Sequence, residues 1–133
     1  MRFASIRIIT SDVKRLVRFY EHVTGVKSVQ YTPDFSELLL PDCKIAIGST
    51  NTLAMFGGDS IAEAATNRSV IIEFRVNDVD VSYNNIITSS AEIVQTPTTM
   101  PWGNRSLLFR DPDGNLVNFF APVTDDARRR AGE

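Results

Sequence analysis

Histidine, cysteine and tryptophan each occur once in this 133-residue chain, as His22, Cys43 and Trp102. One cysteine cannot close an internal disulfide, and Cys43, in a turn beside Asp42, has no neighbouring base to activate it. The lone histidine falls in a helical pattern, so no Ser-His-Asp or Cys-His arrangement can be built around it. No apolar run approaches the ~20 residues of a membrane-spanning helix, and the first residues lack the apolar core and small-residue cleavage site of a signal peptide. With the lone thiol, these absences give the expectation of a cytoplasmic protein with no membrane partner. Basic charge is not in excess either: 14 Lys and Arg face 16 Asp and Glu, for a net charge of −2, which leaves no electrostatic footprint for nucleic acid. Neither a phosphate-cradling glycine loop nor a dinucleotide fingerprint occurs.

What the chain does have is an internal repeat. Ile6-Arg7-Ile8-Ile9-Thr10-Ser11-Asp12-Val13 returns as Ile72-Glu73-Phe74-Arg75-Val76-Asn77-Asp78-Val79, and Thr32-Pro33 returns as Thr96-Pro97. The offset is 66 residues at the first landmark and 64 at the second. Two halves of one short domain thus share a strand–helix–strands plan. Each half alone is near the lower size limit for independent folding, so the expectation is one domain over 1–123. Module one covers about 3–56, a linker about 57–68 and module two about 69–122. Residues 124–133, with Arg128-Arg129-Arg130 among three acidic residues, read as a solvated, partly disordered tail.

Residues 3–10 alternate and are rich in isoleucine, which predicts a strand. Asp12 follows as an N-cap, then Val13, Leu16, Val17 and Tyr20 at helical spacing, with Gly25 as the stop. In the second copy Asp78 caps, and Val79, Tyr83, Ile86 and Ile87 form the stripe. Strands are expected at 27–31, 36–40 and 44–48, and again at 92–95, 106–109 and 116–120. Residues 52–56 read as one more short strand or a return segment. Asp111-Pro112-Asp113-Gly114-Asn115 is a strong turn signal. The sum is an α+β chain of two βαβββ modules whose sheets line a half-barrel cleft.

Strand parity divides the faces. Ile6, Ile8 and Thr10 lie opposite Ser5, Arg7 and Ile9, and Ile72, Phe74 and Val76 lie opposite Ile71, Glu73 and Arg75. One face packs under the helices. The face with Ser5, Arg7, Glu73 and Arg75 is too polar for a sealed core and is expected to line a hydrated, concave surface.

The doubled pattern, with Arg18-Phe19-Tyr20-Glu21-His22-Val23-Thr24-Gly25 and the ending from Pro101-Trp102-Gly103 through Asp111-Pro112-Asp113-Gly114-Asn115 to Phe119, resembles the vicinal oxygen chelate superfamily. That group contains glyoxalase I, extradiol dioxygenases, fosfomycin-modifying enzymes and bleomycin-resistance proteins. The resemblance runs from Phe3 to about Val123. In the metal-dependent members a divalent cation in the cleft polarises two vicinal oxygens of the substrate. The resemblance puts the ligand positions at Ser5, Ile71, Asn118 and a first-module counterpart near Ile47. None is a carboxylate or an imidazole, so the expectation is no metal and no cofactor. The bleomycin-resistance branch, which binds drugs in the same cleft without a metal, is the nearer analogue.

Other residues fill out the expected cleft. Trp102, in a loop stiffened by Pro101 and loosened by Gly103, either stacks on a planar or cationic ligand or plugs the mouth of the cleft or a dimer contact. Phe120 and Asn118 share a strand face. Arg7, Glu73 and Arg75 either hold an anionic or carbonyl-bearing ligand, with Glu73 orienting an arginine or acting as a base, or form a cross-strand ion-pair network. Arg105 is a further anion contact or an exposed arginine.

The favoured reading is therefore metal-independent binding of a small organic molecule, in the manner of drug-sequestering antibiotic-resistance proteins, through Ser5, Arg7, Glu73, Arg75, Trp102, Arg105, Asn118 and Phe120. The alternative is a lyase, isomerase or dioxygenase with a divergent metal site or with Glu73 as base. A homodimer is the expected state, because two open modules leave sheet edges to cover.

Overall fold

Asp12 and Asp78 set where each module turns from strand to helix. Their carboxylates accept from the backbone N–H of Arg15 at 3.1 Å and of Val81 at 3.0 Å, satisfying donors that the first helical turn leaves free. In the computed structural model, which describes residues 1–58 and 60–133, these caps open helices α1 (Val13–Thr24) and α2 (Val79–Ile86). Gly25 ends α1 at φ 70°, the left-handed conformation glycine adopts without a Cβ penalty. Of the expected linker over 57–68, Asp59 lies outside the described residues.

The strands are β1 (Ser5–Thr10), β2 (Ser28–Thr32), β3 (Phe35–Leu39), β4 (Lys44–Ser49), β5 (Ile71–Arg75), β6 (Glu92–Thr99), β7 (Asn104–Arg110) and β8 (Leu116–Pro122). They form two four-stranded mixed sheets, ordered β1-β4-β3-β2 and β5-β8-β7-β6, and neither closes on itself. The fold is α+β, with two compact units, Met1–Asn67 and Arg68–Glu133.

In the first unit α1 packs on β3 and β4. Its Leu16, Phe19, Tyr20 and Val23 are at most 6% exposed and meet Leu38, Ile45 and Ile47. Burying each such side chain contributes about 1.5–3 kcal/mol. The other face of the sheet carries Arg7, whose guanidinium lies 4.9 Å from the Phe35 ring centre and 5.6 Å from that of Phe56. Phe56 ends a 3-10 helix over Thr50–Phe56, where a short strand or return segment was expected. That helix comes close over Gly48, whose Cβ, if present, would stand 3.0 Å from Thr52 Oγ1.

In the second unit α2 packs on β6, β7 and β8. Phe109, Phe119 and Phe74 stack edge to face on that side, with ring centres 5.1 and 5.3 Å apart, beside buried Val79 and Ile86. Ile87, expected in the α2 stripe, is 51% exposed, because the helix ends one residue earlier and Ile87 serves as its C-cap. At the other end of the sheet Arg105 of β7 fastens α2. Its Nε and Nη2 donate to the two carboxylate oxygens of Asp80, each at 2.8 Å.

The expected disordered tail is instead helix α3 (Asp125–Arg130). Thr124 caps it by accepting from the Ala127 N–H at 3.2 Å, Asp125 and Asp126 sit at its positive end and Arg128–Arg130 at its negative end. Ala127 is 3% exposed and packs over Gly103. A Cβ on Gly103, at φ 93°, would stand 2.1 Å from Thr124 Oγ1 and 3.0 Å from the Ala127 Cβ.

Two outcomes follow from these contacts. Gly103→Ala is expected to destabilise the fold by about 3 kcal/mol in urea denaturation, since overpacking adds to the left-handed strain, and to raise amide exchange over 124–131. Gly114→Ala, at φ 83° with nothing within 4 Å of its Cβ position, should cost only about 1–2 kcal/mol; equal costs would mean that α3 is not seated on Gly103. The second outcome concerns pH. The side-chain hydrogen bonds of Arg105 hold the Asp80 carboxyl below its ordinary value of 3.8. A depressed folded-state value means that the pair stabilises fully above the unfolded carboxylate range and fades as pH falls through the lower, folded value. Asp80→Asn should thus show a shallower loss of stability than the parent protein from about pH 5 downward.

Candidate functional site

β8 offers alternate residues to its two faces. Val117, Phe119 and Ala121 are buried under α2, and Leu116, Asn118, Phe120 and Pro122 line the opposite, open face. The parallel partner β5 adds Glu73 opposite Asn118 and Arg75 opposite Phe120. The antiparallel partner β7 adds Leu108 opposite Asn118, Ser106 opposite Phe120 and Asn104 opposite Pro122.

At the Phe120 end of this face, a cavity of about 470 Å³ is walled by Arg75, Asn104, Phe120 and Pro122 of the sheet, by Trp102, and by Ala127 and Arg130 of α3 with its C-cap Ala131. That volume suits a drug-sized ligand. Trp102 stands in the turn between β6 and β7, closed by Gly103 N–H donating to the Met100 carbonyl at 2.9 Å, and its residue is 59% exposed. Such exposure rules against a buried plug within this unit. The Trp102 carbonyl accepts from Arg130, which ties the turn to α3. Arg75 makes an ion pair with Glu133, both side chains being about half exposed.

One rung along the same face, Asn118 Nδ2 donates to Glu73 Oε2 at 2.7 Å, while the buried Asn118 Oδ1 has no hydrogen-bond partner. Glu73 is thereby held by an amide and Arg75 by Glu133, which replaces the expected pairing of Glu73 with an arginine.

The structure brings Arg75, Trp102 and Phe120 together around one cavity and puts Glu73 and Asn118 beside it. Ser5 and Arg7 belong to the first unit, where Arg7 is engaged by two aromatic rings. Arg105 is not on this face: it lies opposite Ala121, on the α2 side, because it is odd in a strand whose even residues take the open face. Asp80 pairs with it. A second correction concerns Ile47. Asn118 faces Glu73 across β8 and β5, and the residue facing Arg7 across β4 and β1 is Ala46. Ile47 points to α1 and is fully buried, since adjacent strand residues face opposite ways.

The cation that the superfamily resemblance implies finds a poor donor set here. In the first unit Ser5 and Ala46 supply no carboxylate or imidazole, and in the second Ile71 supplies none while Glu73 with Asn118 supplies oxygens from two side chains, against the six to eight that a calcium-like ion takes. Among the described residues no three His, Cys, Asp or Glu side chains converge. Those residues do not fit a resident metal ion.

Asn104, Pro122, Ala127, Arg130, Ala131 and Glu133 are site residues that the strand pattern missed. A signal for those of the last helix was present in Thr124-Asp125-Asp126-Ala127-Arg128-Arg129-Arg130-Ala131-Gly132, which has a capping threonine, acidic first turn, basic last turn and glycine stop.

No helix among the described residues is long and apolar enough to cross a membrane. A protein of Bacillus subtilis (strain 168), YraH, described as uncharacterized, is 28% identical over 126 residues, covering 90% of this chain and 98% of its own. Among solved structures, a glyoxalase/bleomycin resistance protein/dioxygenase from Nocardioides has a TM-score of 0.78 at 21% identity, covering 94% of this chain and 85% of its own. A glyoxalase/bleomycin resistance protein/dioxygenase family enzyme from Burkholderia phytofirmans PsJN reaches 0.82 at 18% identity, over 90% and 98%. These two likenesses speak for the fold. The model of one family matches residues 2–119, nearly the whole of both modules, and the chain belongs to the Glyoxalase/Bleomycin resistance protein/Dioxygenase superfamily.

Proposed function

We propose that this chain binds a small planar or amphipathic organic molecule, without a metal ion, on the open face of its second sheet. The observation that carries the reading is the 59% exposed Trp102 at the rim of a cavity of about 470 Å³ floored by Phe120 and Pro122. A ring held at a cavity mouth can stack on a planar ligand, for about 0.5–1.5 kcal/mol beyond the area buried. Drug sequestration, as in the bleomycin-resistance branch, is the role this chemistry supports best. Cytoplasmic residence accords with it.

A second reading is favoured by one contact, the Asn118–Glu73 bond at 2.7 Å, which fixes a carboxylate on the open face where it could serve as a general base. It ranks lower because Glu73 is not among the residues that wall the cavity. We also infer a homodimer. The outer strands β1 and β2, and β5 and β6, are sheet edges that a second copy can cover, and exposed Val70 and Ile71 stand at the start of β5. Light scattering at micromolar concentration should give twice the chain mass.

Binding is tested by screening metabolites and antibiotics against the intrinsic fluorescence of Trp102, then titrating each hit by calorimetry. Trp102→Ala should weaken a hit by roughly ten- to a hundred-fold, about 1.4–2.7 kcal/mol, while altering stability by less than about 1 kcal/mol. Elemental analysis after growth in metal-supplemented medium should find no stoichiometric zinc, iron, manganese or nickel. One tightly held metal per chain would overturn the metal-independent reading, and unchanged affinity in a folded Trp102→Ala protein would remove this cavity from it.

A further inference from the structure

We propose that the cavity under α3 takes a planar organic carboxylate, and that the carboxylate of Glu133 occupies the ligand's place on Arg75 when the site is empty. The inference rests on the reading of this cavity as a binding site and goes beyond it by naming the ligand class and an internal competitor.

Three observations lead to it. Arg75 stands on the open face opposite Phe120, at the edge of the cavity, and its partner in the structure is already a carboxylate. A guanidinium offers a planar fork of donors that matches that group. The cavity also holds a second guanidinium, Arg130, and no carboxylate among its walls, while Trp102, Phe120, Pro122, Ala127 and Ala131 supply flat and apolar surface. A flat ring bearing one carboxylate meets all of these at once.

The third observation is how Glu133 gets there. Gly132, at φ 83°, ends α3, its N–H donating to the Arg129 carbonyl at 3.1 Å, and the Glu133 N–H donates to the Arg128 carbonyl at 2.9 Å. These are the paired bonds of a Schellman cap, which fixes the backbone of the residue after the glycine. The cap thus aims Glu133 at Arg75. Yet the ion pair is open to water, with side chains 42% and 48% exposed, and a pair so placed holds its partners weakly. A ligand that brings both a carboxylate and ring surface can displace it.

The test uses two probes that share one ring system, 1-naphthoate and 1-naphthalenemethanol, followed through the single indole N–H signal of the nitrogen-15-labelled full chain. Naphthoate should bind at least about tenfold more tightly than the alcohol, because only it can make charge-assisted bonds to Arg75. Arg75→Gln should abolish that preference. Glu133→Gln, a surface change that leaves α3 and its cap intact, should tighten naphthoate several-fold and more than it tightens the alcohol. Equal affinities in the parent protein, with the indole signal moving for both probes, would overturn the carboxylate assignment while leaving the cavity as a binding site. Failure of Glu133→Gln to tighten naphthoate would overturn the internal competitor. An indole signal unmoved by either probe up to millimolar concentration would overturn this inference and the binding reading beneath it.

Discussion

The second unit depends on the carboxylate of Asp111. It is 5% exposed and accepts three hydrogen bonds, from the backbone N–H of Asp113 and Asn115 at 2.9 Å each and from the Asn115 side chain at 2.8 Å. These bonds satisfy a buried anion that would otherwise be costly, and they fold five residues into the connection between β7 and β8. The pairing of Arg110 with Leu116 follows, and with it every pair up to Asn104 and Pro122. Because side chains alternate along a strand, this register sends Leu107, Phe109, Val117 and Phe119 to α2 and leaves Asn118 and Phe120 on the open face, Phe120 at the cavity. A slip of one residue would reverse both sets.

The two modules extend their resemblance past the last strand. After β4 comes the 3-10 helix Thr50–Phe56, capped by Ser49, and after β8 comes α3, capped by Thr124. Each returns over the open face of its own sheet and brings a partner to an arginine there. In the first unit the partner is the Phe56 ring beside Arg7, and in the second it is the Glu133 carboxylate on Arg75. The difference matters. A guanidinium within reach of two rings is already engaged by their faces, whereas one paired with an exposed carboxylate can exchange partners.

Much of this was legible in the residue order, because it rests on local rules. The caps at Asp12 and Asp78, the alternation in β1 and β5 and the Asp111–Asn115 turn each follow from a few neighbouring residues, and they placed Glu73, Arg75, Asn118 and Phe120 on one face. What was not legible rests on register or on docking. Ile47 was put on the wrong face because a strand read without its partner can be in error by a single residue, and Arg105, read as a neighbour of Trp102 ahead of the strand, lies within β7 opposite Ala121. Helix α3 was hidden by its own charges: Asp125, Asp126 and three arginines lower its hydropathy, and it has one buried residue, Ala127, to mark the docked side. Its order comes from the macrodipole, the Thr124 cap and the lack of a side chain on Gly103, none of which shows as a hydrophobic period.

The polar groups near the cavity divide by how firmly they are held, and that division bears on what the site can do. Catalysis by a general base needs a carboxylate within reach of the proton it removes, in a pocket that excludes water. Glu73 is fixed by Asn118 but stands outside the cavity wall, and the cavity itself is open, with Trp102 mostly exposed at its edge. Binding makes weaker demands. It needs apolar area to cover, which the indole and Phe120 supply, and a polar group whose present partner is cheaply replaced. At roughly 25 cal/mol per Å² of apolar area, a ligand covering about 100 Å² of ring surface gains about 2.5 kcal/mol. An exposed ion pair is worth at most about 1 kcal/mol. The ring contact therefore outweighs the pair that must open, and on the proposed reading Arg75 adds a preference for a carboxylate to binding that the rings already favour.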